Sequence, residues 1–319
     1  MGYKSVLVVG VGSLGSRVVV NLPEVISKIG ISDGDIITDK NKMSQPLYAS
    51  AGTSGMIRKA DFAAQAIRDL YGSIEICSYP FYIGESRARD IVLEYDLILD
   101  FTDNMRSRMV LNSACAELSK PILFASMNKK EGFYYIYAGS GPCYNCIYRN
   151  SVGTLKEGCD SSDVIPPEAF VHAIADAITK LAGGDNTYTG TANYFSFSSA
   201  SSLAVSVSKD PGCEVCSMHH YSLREGQTFL QTCGSGIKVS LQRGIDLDDV
   251  VERLPDFSVR RDGDILLASK GENSILVSSD GDILFTGYDK DGADMVLNTL
   301  FPSTLSPGST YAERHEYRT

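Results

Sequence analysis

Four of the chain's 8 cysteines form two pairs with two residues between the thiols, Cys143 with Cys146 and Cys213 with Cys216. That spacing lets a pair of thiolates bind one ion, and two such pairs complete a tetrahedral zinc site. Two separate redox dithiols are the alternative, but we expect neither pair to open a helix after a strand, as thioredoxin-like motifs do. Because four thiolates leave no open position on the metal, the sequence predicts a structural zinc that clamps distant segments, away from the chemistry.

A second group of chemically informative residues lies near the N-terminus. Gly10, Gly12 and Gly15 form G-x-G-x-x-G between an apolar run and a helical segment, so the backbone can approach a phosphate at the positive end of the helix. Asp33 or Asp35 follows about 20 residues later, where a carboxylate can hold ribose hydroxyl groups. The pattern predicts a nucleotide site and leaves NAD, FAD and ATP open as the ligand.

A third signal is the segment DFTDN, residues 100–104, which follows another apolar run. Ligands of parallel sheets lie at the carboxyl ends of the strands, so Asp103 could coordinate magnesium or orient a phosphate there. Capping the helix that is predicted to start near Met105 is the alternative role, and it is a common one for an aspartate.

Short apolar runs alternate with helical segments and must position these groups. Ser5–Val9 is a continuous apolar run, typical of a strand buried on both faces, and Lys59–Tyr71 places its apolar residues on one helical face. This alternation predicts an α/β fold with a doubly wound, mostly parallel sheet. The other predicted elements are strands over 29–32, 73–79, 96–100, 122–125 and within 132–150, and helices over 16–29, 86–94, 105–119 and 168–182.

A change in composition near Gly234-Ser235-Gly236 predicts a domain boundary. Residues 1–233 then form the nucleotide-binding domain with the zinc site, residues 236–302 a small α+β domain, and residues 303–319 a tail. In the small domain we predict strands over 237–241, 265–268, 274–277 and 283–286, and helices over 247–254 and 293–301.

Length and charge limit the classes of function. At 319 residues the chain can bury a substantial core, and its net charge of −10 argues against a generally basic nucleic-acid-binding surface. There is no run of about 18 apolar residues that could cross a membrane, and the N-terminus runs into a strand without the cleavage site of a signal peptide. We therefore expect a cytoplasmic protein with no nucleic-acid or membrane partner.

Several of these motifs occur together in one known family. GVGSLGS, the acid pair in SDGD, DFTDN, and GPCYNC paired with DPGCEVC resemble the ThiF/MoeB/HesA family, relatives of the ubiquitin-activating enzymes, over roughly residues 4–220. The resemblance implies a Rossmann-like domain that binds ATP and magnesium and adenylates a carboxylate with release of pyrophosphate. It implies as substrate the C-terminal glycine of a small ubiquitin-like or sulfur-carrier protein, or else a peptide or small acid, and it implies a homodimer.

The resemblance also assigns roles around the nucleotide. Gly12 and Gly15 would line it, Asp33 would hold its ribose, and Asp103 would be the magnesium acid beside the phosphates. Attack of a carboxylate on the α-phosphate builds charge that magnesium and cations must offset.

Further positions match polar and reactive residues of the family. Asn41 and Gln45 match its N-x-x-R-Q segment, and Lys59, or the neighbouring Arg58, matches its phosphate-contacting lysine. Cys159 resembles the sulfur-handling or conjugating cysteine of ThiF-type members, where a thiol could attack the acyl adenylate. An incidental loop thiol is the alternative for Cys159.

One position departs from the family, because Ser44 stands where members usually carry an arginine that neutralises the phosphates. Lys40, Lys42, Arg58 or an arginine from a second subunit could substitute. A catalytically degenerate ATP-binding scaffold is therefore one alternative function. An NAD-dependent oxidoreductase is another, although it explains the glycine motif without giving a reason for DFTDN or the cysteine pairs.

Overall fold

The structure, a computed structural model, describes residues 2–52, 56–150, 164–221, 230–232, 236–241 and 244–302. Within these ranges the chain divides into two compact units, one up to Tyr221 with residues 230–232 and one from residue 236 onward. The predicted tail and the residues 233–235 lie outside the described part. None of the described helices is both long and apolar enough to cross a lipid bilayer.

The described residues of the first unit form one sheet of eight strands. Their bounds are β1 Ser5–Val9, β2 Lys28–Ser32, β3 Glu75–Tyr79, β4 Leu97–Asp100, β5 Pro121–Met127, β6 Glu131–Ala138, β7 Thr191–Ser196 and β8 Ser201–Ser206. The spatial order is β3-β2-β1-β4-β5-β6-β7-β8. Strands from β3 to β5 in that order pair in parallel, and β6, β7 and β8 continue the sheet with antiparallel pairs. The predicted doubly wound, mostly parallel sheet is confirmed.

Helices cover both faces of this sheet. The bounds of the first unit's helices are α1 Gly15–Val19, α2 Asp39–Ser44, α3 Lys59–Tyr71, α4 Glu85–Leu93, α5 Met105–Glu117, α6 Tyr144–Asn150 and α7 Glu168–Ala182, with a 3₁₀ turn at Pro46–Tyr48. In β1, Val6 and Val8 pack into the core that contains α3 and α7, whereas Leu7 and Val9 pack into the core that contains α4 and α5. Burial on both faces explains the uninterrupted apolar run of this strand.

Helices α1 and α2 of the first unit differ from the sequence prediction. The helix predicted over 16–29 ends at Val19, since Pro23 has no amide hydrogen to continue a helix, and the chain re-enters the sheet at Lys28. Helix α2 was not predicted. It buries none of its residues, so it shows no apolar periodicity in the sequence.

The second unit is a small antiparallel sheet with two helices. A short strand, β9 (Leu230–Thr232), precedes this unit in the chain. The elements of the unit are β10 Gly236–Ser240, α8 Leu247–Arg253, β11 Ser258–Asp262, β12 Ile265–Lys270, β13 Asn273–Ser278, β14 Asp282–Thr286 and α9 Lys290–Leu300. Among these described strands, β11-β12-β13-β14-β10 is the order, with antiparallel pairs throughout. Strand β11 was not predicted, because it is mostly exposed and polar.

Candidate nucleotide-binding site and metal centre

The three glycines of the turn between β1 and α1 have different surroundings. Gly10 has φ +86°, a left-handed conformation that glycine adopts without steric cost. A Cβ on Gly15 would lie 2.0 Å from the Gly10 carbonyl oxygen, so only glycine fits. A Cβ on Gly12 would meet no described atom within 4 Å. The turn therefore leaves open space in front of Gly12, where the backbone of a nucleotide-binding turn approaches a phosphate.

Asp33, at the end of β2, holds the backbone of this turn. Its Oδ2 accepts a hydrogen bond from the Val11 amide at 2.9 Å, and its Oδ1 accepts one from the Asp35 amide at 2.9 Å. The hydroxyl of buried Tyr48 donates to the Val11 carbonyl at 2.8 Å. Burial raises the pKa of Asp33, and the neighbouring Asp35 charge raises it further. Asp33, the acid predicted to hold the ribose, thus lies directly beneath the glycine turn.

Lys59, the first residue of α3, is a buried cation beside these acids. Its Nζ donates to Asp35 Oδ2 at 2.8 Å, and only 6% of the residue is exposed. Burial alone would lower the pKa of Lys59, but Asp35 and Asp33 raise it above its ordinary value, and the charge of Asp103 acts in the same direction. The ammonium therefore stays charged, and the field of Asp103 reaches it. Three of the predicted site residues, Asp33, Asp35 and Lys59, are brought together here.

Tyr82 also belongs to this group, although the sequence analysis did not identify it. Its hydroxyl donates to Asp35 Oδ1, and Lys59 donates to the other carboxylate oxygen, Oδ2. Its ring packs on the backbone of Gly34, where an added Cβ would lie 2.7 Å from the ring atoms. The glycine between the two acids of SDGD was the available signal, since it marks a close approach of another group.

Asp103 lies in the loop between β4 and α5, against the glycine turn. A Cβ on Gly10 would lie 3.0 Å from the Phe101 carbonyl and 3.2 Å from the Thr102 amide nitrogen, so the two loops touch. The helix-capping alternative for Asp103 is wrong, because Asn104 is the N-cap and its side chain accepts the Ser107 amide at 2.8 Å. Asn104 Nδ2 donates to Asp103 Oδ1 at 3.4 Å, and the Asp103 side chain is exposed, so that a hard cation, which prefers oxygen ligands, can approach it from solvent.

The predicted site residues on and near α2 have local structural partners. Asn41 forms a capping box with Thr38, whose amide donates to Asn41 Oδ1 at 3.0 Å. Gln45 is 2% exposed, and within the described residues its Oε1 has no hydrogen-bond partner. Arg58 is buried and donates from Nη1 to the Pro80 carbonyl at 2.9 Å. Ser44 donates to the Lys40 carbonyl at 2.9 Å and brings no charge to the site.

The four paired cysteines converge on one point. Their sulfur atoms all lie within 4.8 Å of one another, and all four residues are buried. Cys143 and Cys213 have their sulfurs 3.6 Å apart, and those of Cys146 and Cys216 are 3.4 Å apart. A tetrahedral Zn²⁺ with bonds of about 2.3 Å separates its sulfur ligands by about 3.8 Å. The donor set and its spacing fit the predicted structural zinc.

The expectation that neither cysteine pair opens a helix after a strand is wrong for the first pair. Cys143 directly precedes α6, which follows β6, so this pair does open a helix after a strand. The local setting therefore does not exclude a redox dithiol. The convergence of the second pair decides in favour of a metal site, because a tetrahedral site needs all four sulfurs and a dithiol needs two. Cys159, the predicted reactive thiol, lies in residues 151–163, outside the described part.

The family can now be stated from a comparison with known proteins. The model of the ThiF family matches residues 2–215 of this chain. The chain belongs to the ThiF family. This membership confirms the resemblance read from the glycine turn, the acids and the cysteine pairs.

Curated relatives of this ThiF-family chain carry two activities in their names. The adenylyltransferase and sulfurtransferase MOCS3 of Mus musculus is 31% identical over 240 residues, which cover 72% of this chain and 51% of the relative. The adenylyltransferase and sulfurtransferase UBA4 of Kluyveromyces lactis is 34% identical over 184 residues, covering 56% and 40%. The chain thus spans about half the length or less of these curated relatives.

Solved structures share the fold of the first unit. E. coli MccB, crystallised with ATP, superposes with a TM-score of 0.55 at 18% identity, covering 67% of this chain and 66% of MccB. PaaA gives a TM-score of 0.53 at 15% identity, covering 65% of each chain. At such low identity the likeness supports the fold and no residue assignment.

Proposed function

We propose that this chain uses ATP to adenylate a carboxylate, forming an acyl adenylate and releasing pyrophosphate. The observation that carries the proposal is the open space at Gly12, in a glycine turn that touches the loop of the exposed Asp103 at Gly10. The same turn is held by Asp33, whose neighbour Asp35 binds the buried ammonium of Lys59. Attack of a carboxylate on a phosphorus atom needs three things. These are a turn that the phosphates can approach, a positive charge that is retained, and an acid that binds a cation. Family membership and the adenylyltransferase names of the curated relatives support the same activity.

The residues then take the following roles. Gly10, Gly12 and Gly15 admit the phosphates to the N-terminus of α1, and Asp33 receives the ribose hydroxyls beside the turn. A carboxylate oxygen of the substrate attacks the α-phosphorus, an oxygen–phosphorus bond forms, and the bond to pyrophosphate breaks. Lys59 exchanges part of its contact with Asp35 for the phosphates and offsets the charge that develops there.

Magnesium fits the exposed carboxylate of Asp103, an oxygen ligand at the carboxyl end of β4. When bound, it would neutralise phosphate charge next to Lys59. Asn41 and Gln45 supply polar groups near the end of α2, and Arg58 reinforces the positive field. Position 44 of this chain is a serine, and an arginine from the second subunit of a homodimer supplies the positive charge that an arginine at this position would provide.

We propose a macromolecular carrier as the source of the carboxylate. The preferred substrate is the C-terminal glycine of a small ubiquitin-like or sulfur-carrier protein, since the relatives are named sulfurtransferases as well as adenylyltransferases. A peptide or small acid is the second candidate. The Cys159 thiolate then attacks the carbonyl carbon of the acyl adenylate, so that a thioester forms and AMP leaves. Alternatively, Cys159 first receives sulfane sulfur from a donor persulfide, and the terminal sulfur of its own persulfide makes the same attack and releases AMP.

The test is magnesium-dependent exchange of labelled pyrophosphate into ATP, measured with a panel of carrier proteins and small carboxylates. We expect exchange with one acceptor class, and we expect Asp103→Asn to lower its rate at least about 100-fold. Asp69→Asn changes an equally exposed acid on α3 and should leave the rate unchanged. In parallel, calorimetric titrations with ATP and with NADH measure the affinity of the chain for each nucleotide. Binding of NADH in preference to ATP, or Asp103→Asn without effect, would contradict the proposal.

A further inference from the structure

We propose that helix α5 couples the metal centre to the loop of Asp103. In this path Asn112 contacts the cysteine cluster, and Arg108, one helical turn earlier, holds the loop that presents Asp103. Both are positioning residues, and neither takes part in the reaction. The consequence for activity rests on the proposed function, because it assumes that Asp103 acts on the nucleotide.

The metal end of the path is the side-chain amide of Asn112. This residue is fully buried, its Nδ2 donates to Cys143 Sγ at 3.6 Å, and its Oδ1 accepts the Tyr144 amide at 2.9 Å. Both ends of the amide are therefore used by the first C-x-x-C turn. A buried amide with both partners fixes the orientation of the groups it joins, since losing either partner leaves an unsatisfied polar atom.

The loop end of the path is the guanidinium of Arg108. Arg108 is 4% exposed, and its Nη2 donates to the carbonyl oxygens of Thr102 and of Ala125, the latter at 3.0 Å. The Thr102 amide and hydroxyl donate to Asp100 Oδ1 at 2.8 Å and 2.6 Å. The peptide group that precedes Asp103 is thus held on its carbonyl side by Arg108.

Tyr144 closes the path between these two ends. The Arg108 guanidinium carbon lies 5.9 Å from the centre of the Tyr144 ring, while the backbone of Tyr144 is held by Asn112. Arg108 and Asn112 are four residues apart on α5 and so share one face of the helix. Since Tyr144 lies inside the C-x-x-C turn, a shift of Cys143 on metal loss would displace partners of both side chains.

The chain offers a matched control for this path. Asn145 Nδ2 donates to Cys213 Sγ at 3.4 Å, so it makes the same amide-to-sulfur contact with the other cysteine pair. Asn145 lies on α6, outside the path through α5. Changing Asn112 or Asn145 removes one contact to the sulfur cluster in either case, but only the Asn112 change should reach Asp103.

The experiment compares Asn112→Ser, Asn145→Ser and Arg108→Lys in the full chain, each checked for zinc content and circular dichroism. Hydrogen exchange is measured across residues 100–104, and the magnesium dependence of pyrophosphate exchange is measured in parallel. At equal zinc content we expect Asn112→Ser to expose the Thr102 amide and to raise the magnesium concentration for half-maximal rate about tenfold, as loss of an outer-shell partner does. Arg108→Lys should do the same, with a smaller effect on the maximal rate.

Equal exchange protection of the Thr102 amide in Asn112→Ser, Asn145→Ser and the unchanged chain would overturn the coupling. So would an unchanged magnesium dependence in Asn112→Ser. The hydrogen-exchange comparison does not depend on catalysis. If the unchanged chain shows no pyrophosphate exchange with any acceptor, the proposed function fails while the exchange protection still decides the coupling.

Discussion

Gly12 and Gly15 belong to the same glycine motif, yet they have different roles in the structure. Gly15 lets α1 pack closely against the turn, because a Cβ there would meet the Gly10 carbonyl oxygen. Gly12 has no packing duty among the described residues, since the space where its Cβ would stand is open. If only glycine is tolerated at position 12, the reason would therefore be a bound ligand, whereas at position 15 the reason is the packing of the fold.

This difference predicts separate effects of two alanine substitutions. Gly12→Ala should leave the melting temperature nearly unchanged and weaken ATP binding at least about tenfold, because the added methyl group occupies the phosphate approach. Gly15→Ala should lower the free energy of unfolding by about 1–3 kcal/mol, because the methyl group overpacks the turn. Thermal unfolding and calorimetric titration with ATP measure the two effects. Unimpaired ATP binding by Gly12→Ala would place the nucleotide elsewhere.

Among the elements, α2 carries position 44, where the sequence analysis expects a departure from the family pattern. The helix begins with the capping box of Thr38 and Asn41, buries none of its residues, and ends at Ser44. Because packing does not constrain its exposed side, the residue at position 44 can change without cost to the core. We therefore expect that serine at position 44 removes one positive charge that this chain itself could offer to the phosphates, without a change in the core.

Restoring that arginine should strengthen nucleotide binding. We expect Ser44→Arg to lower the KM for ATP in the exchange reaction about tenfold, the effect of one charge-assisted hydrogen bond to a phosphate. Met43→Arg is the control, because Met43 is 90% exposed and the substitution adds the same charge on the neighbouring position. An equal gain in both variants would mean that general charge, rather than a defined contact at position 44, is responsible.

At the scale of the whole molecule, each of the two units is stabilised internally in a different way. The first unit contains a cysteine cluster that ties residues 143–146 to residues 213–216, and the antiparallel strands β7 and β8 lie between them in the chain. The second unit has its own core, built from β10 to β14 with α8 and α9. No cluster of metal-ligating residues occurs in the described part of that unit.

Metal removal should therefore act on one unit only. Treatment with a strong zinc chelator and a reductant should speed amide exchange in the strands β6 to β8 at least tenfold, because the metal clamp closes a long loop. Exchange in the core strands β12 and β13 should stay the same. Mass spectrometry of peptides from both units measures this. Equal acceleration in both units would show that the metal stabilises the chain as a whole.

Local patterns predicted much of the fold and the identity of most candidate site residues. Lys59–Tyr71 was predicted with the bounds observed, because its apolar residues recur with helical spacing. Helix α2 and strand β11 were missed, because they are exposed and carry no such pattern. Tyr82 was missed for another reason. Its bond to Asp35 joins residues distant in sequence, and nothing in the composition of its own segment indicates it.

The sequence by itself determined the family, the alternation of strands and helices, and the residue types that nucleotide and metal chemistry require. These features depend on neighbours along the chain, through apolar periodicity, glycine spacing and paired cysteines. Only the tertiary structure decided which of those residues meet. It paired Lys59 with Asp35, gave the helix cap to Asn104 instead of Asp103, and brought Asn112 to the cysteine cluster. Contacts between distant segments follow from how helices pack on the sheet, and no local pattern encodes that packing.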